Sequence, residues 1–190
     1  MVVFIVVPKN SGLREYREIA LSELDVNTSR ILEVRGEDVP FWVKLYLDKG
    51  KKAIGLTGED LYKEYSLATK NNICILKKIE WKDTKTLFGK PSLCLLGPKN
   101  KKLEKKEKLA IFIAAKYKNI AEEYLKQLEN KGYSFEKSYI NGCVETGCSE
   151  GMADLIIDIV YSGSSIEKYG LKVYDKIMKS DFLIIGEKND

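Results

Sequence analysis

Apolar residues come along this chain in short runs that alternate with amphipathic stretches. The opening run "MVVFIVV" is continuous and β-branched, the pattern of a strand buried on both faces as in a parallel sheet. "PKNSG" breaks it. In "LREYREIALSEL" the apolar positions Leu13, Tyr16, Ile19, Ala20 and Leu24 recur at helical spacing, which predicts a helix. "RILEVRG" reads as a second strand, and "EDVPFWVKLYLDKG" as a helix N-capped by Asp38 with Pro40 in its first turn. "KAIGLTG" is a third strand ending in glycine, and "EDLYKEYSL" begins a further helix. "NICILKKIEW" and "PSLCLLGP" are two more strands. After the lysine-rich "PKNKKLEKKEK" (98–108) come the strand "LAIFIAA", the helix "NIAEEYLKQLENKG" closed by Gly132, and the strands "SFEKSYI" and "DLIIDIV". A helix over "IEKYGLKVYDKIM" and a last strand "FLIIGE" complete the pattern. Strand and helix alternate throughout, so the predicted class is α/β with mostly parallel sheets, divided into two lobes near the lysine-rich turn.

Composition narrows what such a fold does. With 44% hydrophobic and 32% charged residues among 190, the chain is an ordinary globular sequence with material for a real core. Net charge is only +4 and lysines are interspersed with glutamates, which argues against a nucleic-acid binder and favours an anionic ligand. The lysine-rich run reads as a solvated loop, because Glu104 and Glu107 interrupt it and no aromatic is interleaved. No basic leader precedes the first apolar run and no run approaches the roughly 18 to 20 residues of a membrane span, so a cytoplasmic protein is expected. Cys74, Cys94, Cys143 and Cys148 form no CxxC pair, which argues for reduced thiols and against zinc. The chain contains no histidine, which excludes every mechanism built on an imidazole base or nucleophile.

In parallel α/β sheets ligands bind beyond the carboxyl ends of the strands. "YSGSS" occupies such a place: Gly163 lets the backbone come close, and Ser162, Ser164 and Ser165 offer hydroxyls beside the amides of the next helix. That is a cradle for a phosphate monoester without a Walker lysine. Asp158, just before it, repels phosphate but can accept from sugar hydroxyls; the plainer alternative is a capped turn with the acid satisfied locally. Glu145 and Asp154 are acids of the same neighbourhood that also read as capping or surface residues. Lys9 follows the first strand directly, and Arg35 and the "GLTGED" turn lie at equivalent strand ends.

These segments, taken in order, resemble the ATP phosphoribosyltransferase family. "YINGCVETGCSEGMADLIIDIVYSGSSIEKYGL" is similar, without a gap, to the signature NGSVE-x(8)-AD-x(3)-DLV-x-TG-x-TL-x-x-NGL, and the spacing from Glu145 to Asp158 is kept. "IAAKYKNIAEEYLKQLENKG" resembles IATKYPNL…YF…KG, "VRGEDVPFWV" resembles VRxxDIPxxV, "AIGLTGEDLYKE" resembles LGIxGxDVLxE, and "LFGKPSLCLL" resembles FGxCRLxxA. The resemblance implies two lobes like the type II periplasmic binding proteins, with the active site in the cleft between them. Lobe I is then expected over 1–92 and 174–190, and lobe II over 93–173.

It also implies the reaction: adenine N1 of ATP displaces pyrophosphate from C1′ of phosphoribosyl pyrophosphate (PRPP), with Mg²⁺ on the diphosphate rather than on protein ligands. Lys9, Glu145 and Asp158 are the implied catalytic residues. Asp154, Asp158, Ser162, Gly163, Ser164 and Ser165 are implied to bind PRPP. Arg14, Arg30, Arg35, Asp38 and Gly58 are candidates for ATP or pyrophosphate. The chain departs from the family at "PKNSGLRE", where KGRL or KSGRL is usual and the arginine is either replaced by Gly12 or displaced by one step to Arg14. "TGC" replaces VAP after the glutamate, serines replace the loop threonines, and "NTSR" shortens the stretch before VRxxDIP. Ending at "GEKND", it resembles the short form of the family, for which a homodimer and a regulatory subunit resembling histidyl-tRNA synthetase are expected. A catalytically weak small-molecule sensor of the same fold is the alternative.

Overall fold

β1 (Val3–Pro8) carries the first apolar run, with its last four residues buried. Parallel neighbours flank it on both sides: β2 (Ser29–Val34), with Pro8 opposite Val34, and β3 (Ala53–Gly58), with Ile5 opposite Ile54. A continuous β-branched run suits that position because neither face meets water. β10 (Phe182–Gly186) pairs antiparallel with β3, and β4 (Cys74–Ile79) antiparallel with β10, giving the order β2-β1-β3-β10-β4. This computed structural model describes residues 2–9, 18–19, 21–22, 29–70, 72–105 and 108–187. The helix expected over Leu13–Leu24 lies outside the described residues except at 18–19 and 21–22, which are helical.

Helix α1 (Val39–Asp48) buries Val39, Pro40 and Val43, and Val39 and Val43 cluster with Val6, Val34, Ala53, Leu183 and Ile185 of this sheet. Pro40 stands in the first turn as expected. Asp38 does precede the helix, but its side chain makes no capping bond: a 3₁₀ turn (Gly36–Asp38) runs directly into α1, so Asp38 is already near-helical (φ −88°, ψ −13°) instead of extended. Gly55 allows the close approach of α1, since a Cβ there would sit 2.6 Å from Val43 and 2.9 Å from Val39. Gly55→Val is therefore expected to lower stability by about 1 to 3 kcal/mol through overpacking, read as an earlier denaturant midpoint. An unchanged midpoint would contradict this packing. Helix α2 (Glu59–Ala68) follows β3 directly, with Gly58 as its extended N-cap residue.

The second unit repeats the plan with its own core of Leu93, Leu95, Ile111, Ile113, Leu155 and Ile157. β6 (Leu109–Ala114) lies parallel to β7 (Phe135–Ile140) and to β8 (Leu155–Val160). β5 (Ser92–Pro98) is antiparallel to β8 and to β9 (Leu171–Lys179), so the order is β7-β6-β8-β5-β9. Helix α3 (Lys118–Glu129) buries Ile120, Ala121, Leu125 and Leu128, and Gly132 (φ +88°) closes the turn after it with an N–H donated to the Glu129 carbonyl at 2.9 Å. Each sheet is thus mixed, with two parallel and two antiparallel pairings, where mostly parallel pairing was expected.

Two expectations are corrected. The chain divides at 80/81 and 180/181, into 1–80 with 181–190 and 81–180. The expected boundaries 92/93 and 173/174 fail because β5 and β9 both belong wholly to the second sheet. The helix expected over 166–178 exists only as α5 (Ser164–Lys168); Gly170 at φ +63° turns the chain, and Leu171–Lys179 becomes a strand along β5. Among the described residues no helix is long and apolar enough to cross a membrane.

Candidate active site

In the second unit the parallel strands β6 and β8 lie side by side, so their carboxyl ends open to the same edge. Beyond β8 the chain turns through Tyr161–Gly163 into α5. Gly163 adopts φ +83°, a conformation that strains any residue with a Cβ, and it lets Ser162, Ser164 and Ser165 crowd one small bend. The Ser162 and Ser164 hydroxyls lie 2.9 Å apart, and the Ser164 N–H points at Ser162 Oγ at 3.4 Å. The first amides of α5 have no acceptor within their own helix, by position alone. Glu145, Asp158 and the loop from Tyr161 to Ile166 line a cavity of about 120 Å³. At roughly 30 Å³ per water that is the space of about four waters, fit for one tetrahedral oxyanion.

Asp158 is partly buried within β8, and its Oδ1 accepts the Ile159 N–H at 2.7 Å. Burial pushes its carboxyl up to about 6; the Ile159 amide and the Lys116 ammonium pull down against that, and the Glu145 carboxylate adds to the rise. Glu145 stands on the segment after β7, at the start of the short helix α4 (Thr146–Ser149). Gly147, in that helix, comes so close to Phe112 of β6 that a Cβ would meet the ring at 2.3 Å, which seats the Glu145 segment on the sheet. Glu145, Asp158, Ser162, Gly163, Ser164 and Ser165 are therefore brought together.

Asp154 is not among them. It lies at the amino end of β8, where its carboxylate accepts the Ala110 N–H at 3.1 Å while its own N–H donates to the Ala110 carbonyl at 2.8 Å. Four extended residues, about 13 Å, separate it from Asp158. It clamps β8 to β6 and lines a different cavity, of about 460 Å³, with Lys101, Lys102 and Tyr174.

In the first unit the order β2-β1-β3 sets Arg35, Lys9 and Gly58 in a row at the carboxyl ends of three adjacent parallel strands, Gly58 being the last residue of β3, and the Lys9 N–H donates to the Val34 carbonyl at 2.8 Å. Asp38 is exposed in the following 3₁₀ turn. Arg30 sits at the opposite end of β2, across from Phe4, and is not part of that row. Arg14 lies outside the described residues.

Sequence reasoning missed Lys116, which follows β6 and acts on Asp158. A signal was present: Lys116 stands after β6 much as Lys9 stands after β1, and these two strands hold the same place in their sheets.

Two mixed α/β units of one shared topology, with an oxyanion-sized cradle beyond a parallel strand, define a protein of the periplasmic-binding-protein-like fold. Solved structures bear this out: the periplasmic aliphatic sulphonate binding protein SsuA from Escherichia coli superposes with a TM-score of 0.60 at 13% identity, over 96% of this chain and 60% of that one. The ATP phosphoribosyl transferase (HisG:HisZ) complex from Thermotoga maritima superposes with a TM-score of 0.73 at 22% identity, over 97% and 87%. The family model of ATP phosphoribosyltransferase (HisG) matches residues 35–190. The chain belongs to the ATP phosphoribosyltransferase family. Curated ATP phosphoribosyltransferases from Caldicellulosiruptor saccharolyticus and Campylobacter concisus are 33% and 31% identical to it, over 86% and 95% of this chain and 70% and 78% of theirs. The relative from Sulfurisphaera tokodaii is 31% identical over 84% of this chain, and the chain spans about half of that relative's length, 50%.

Proposed function

We propose that this protein transfers the 5-phosphoribosyl group of PRPP to N1 of ATP, releasing pyrophosphate and forming phosphoribosyl-ATP, the first step of histidine biosynthesis. The observation that carries the reading is the meeting of Asp158, Glu145 and the Ser162–Ser165 bend around one oxyanion-sized cavity, in a chain of this family. The serine hydroxyls and loop amides hold the 5′-phosphate, and Asp158 accepts from the ribose hydroxyls. Positive charge that develops at C1′ then lies near two carboxylates, while Lys116 balances them. No step requires a strong base, so a chain without histidine is adequate.

Mg²⁺ is proposed to arrive on the diphosphate. Mg²⁺ commonly sits on substrate phosphates with few protein ligands. Lys9, Arg35 and Gly58 are proposed to serve an anionic ligand in the first unit. We place the protein in the cytoplasm, as a homodimer. The Thermotoga maritima structure is a HisG:HisZ complex, which supports proposing a comparable second polypeptide here.

The test is direct. Purified protein with ATP, PRPP, Mg²⁺ and pyrophosphatase is expected to generate the ultraviolet absorbance of phosphoribosyl-ATP. Binding of PRPP with no product would replace this reading by that of a sensor, consistent with the departure at "PKNSGLRE".

A further inference from the structure

The segment between β4 and β5 closes on itself. The Asp83 N–H donates to the Gly89 carbonyl at 3.4 Å, and the Gly89 N–H to the Thr86 carbonyl at 3.3 Å. Thr86, only 7% exposed, returns its N–H (3.1 Å) and its hydroxyl (2.6 Å) to the Asp83 carbonyl. Lys176 of β9 lies over the Phe88 ring at 4.8 Å and ties this loop to the sheet.

The closed loop grips one residue of the cradle. Tyr161 stands between buried Val160 at the end of β8 and Ser162, the first hydroxyl of the bend. Its carbonyl accepts the Leu87 N–H at 2.8 Å, and its hydroxyl donates to the Asp83 carboxylate. Its ring meets Trp81 edge-on, with centroids 6.0 Å apart. The Leu87 side chain lies against Gly163, 3.3 Å from where a Cβ would be.

A short loop that must order itself on binding loses affinity, and a loop already fixed does not. We propose that Asp83 and Tyr161 are positioning residues of the anion cradle, and that the 83–89 loop is a buttress holding Ser162–Ser165 in the receiving conformation before ligand arrives. The proposal rests on the reading of the cradle as the 5′-phosphate site. The Tyr161 hydroxyl, more than any other neighbour, holds the Asp83 carboxyl below its ordinary range, so Asp83 remains an ionised acceptor throughout the neutral range.

Asp83→Ala, Asp83→Asn, Tyr161→Phe and the double variant Asp83→Ala/Tyr161→Phe are compared in the full chain, by PRPP kinetics and by calorimetry with ribose 5-phosphate. Asp83→Ala and Tyr161→Phe are each expected to raise the PRPP KM and the ribose 5-phosphate Kd about three- to tenfold, the size of one lost hydrogen bond, with kcat moving less. The double variant is expected to be no worse than Asp83→Ala alone, because that change already removes the Tyr161 link, together with the bond that Asp83 Oδ1 accepts from the Lys85 N–H at 2.8 Å. Asp83→Asn keeps one oxygen to accept the Lys85 N–H and offers its amide N–H to the Tyr161 hydroxyl oxygen, so both links can persist and it is expected to stay within about twofold of wild type. If Asp83→Ala also melts early, Tyr161→Phe carries the test. Unchanged Kd values, additive losses, or an Asn variant as impaired as Ala would each overturn the buttress. A wild-type chain that binds ribose 5-phosphate yet makes no phosphoribosyl-ATP overturns the transferase reading alone, and weaker binding by the variants would still support the buttress. A wild-type chain that binds no ribose 5-phosphate overturns the buttress together with the cradle.

Discussion

Asp158→Asn is expected to lower kcat/KM for PRPP by about a hundredfold or more at pH 8, the loss of two charge-assisted hydrogen bonds, and at the same time to raise the melting temperature of the unliganded chain. The two effects share one cause. A carboxylate set inside a strand is desolvated, and Asp158 rises to about 6 for that reason first. The folded state therefore opposes the charged form. Above about pH 6 that opposition is present in full; it fades as the pH falls toward 4, the ordinary value in the unfolded chain, and is absent below it. A rise of about two pH units corresponds to at most about 3 kcal/mol, less where solvent reaches the group. Asn carries no charge at any pH, so its stabilising effect is expected to be largest at pH 8 and to vanish by pH 4. Catalysis is expected to run the other way, because the ionised form is the one proposed to accept from the ribose hydroxyls. The wild-type kcat/KM is expected to show an acid limb near pH 6 that the variant lacks. Wild-type turnover with an earlier melt in Asp158→Asn would instead make Asp158 a local cap.

What could be read in the sequence, and what could not, follows from the range over which each feature is determined. β1 and β6 stand out because a strand covered on both faces is one apolar run, whatever its partners, and β3 and β8 break theirs only at Thr57 and Asp158. The cradle was legible for a similar reason: its acid, glycine and serines fall within Asp158–Ser165. β9 was not. Leu171, Tyr174 and Met178 follow helical spacing, and the alternation that would mark a strand is broken by two register shifts against β5, after Leu93 and after Leu95. Nor does an apolar run disclose its direction, so the antiparallel roles of β5 and β10 depend on pairing alone. Asp154 entered by the resemblance alone, and no local pattern shows that the four residues from it to Asp158 lead along β8 to a different cavity. The Asp83–Tyr161 link spans 78 positions, and no local pattern encodes it.

Ser164→Ala combined with Ser165→Ala is expected to raise the PRPP KM at least tenfold, with a smaller change in kcat. Each hydroxyl that donates to a phosphate dianion is worth about 1.5 to 3 kcal/mol. Part of that is offset here, because the Ser162–Ser164 contact of 2.9 Å must open before Ser164 can turn to the ligand. Even the smaller figure for both together gives about 3 kcal/mol, so a tenfold rise, about 1.4 kcal/mol, is a lower bound that allows for the offset. The 5′-phosphate takes no part in bond breaking at C1′, so its contacts hold ground state and transition state alike; losing them weakens binding more than turnover. Both serines are exposed and neither packs in the core, so the fold is expected to keep its melting temperature. Ser162→Ala is the internal control, since it leaves Ser164 and Ser165 in place and is expected to cost less than the pair. A KM for PRPP unaltered by the double change would remove the cradle from the site and leave Tyr161–Ser165 as an ordinary turn.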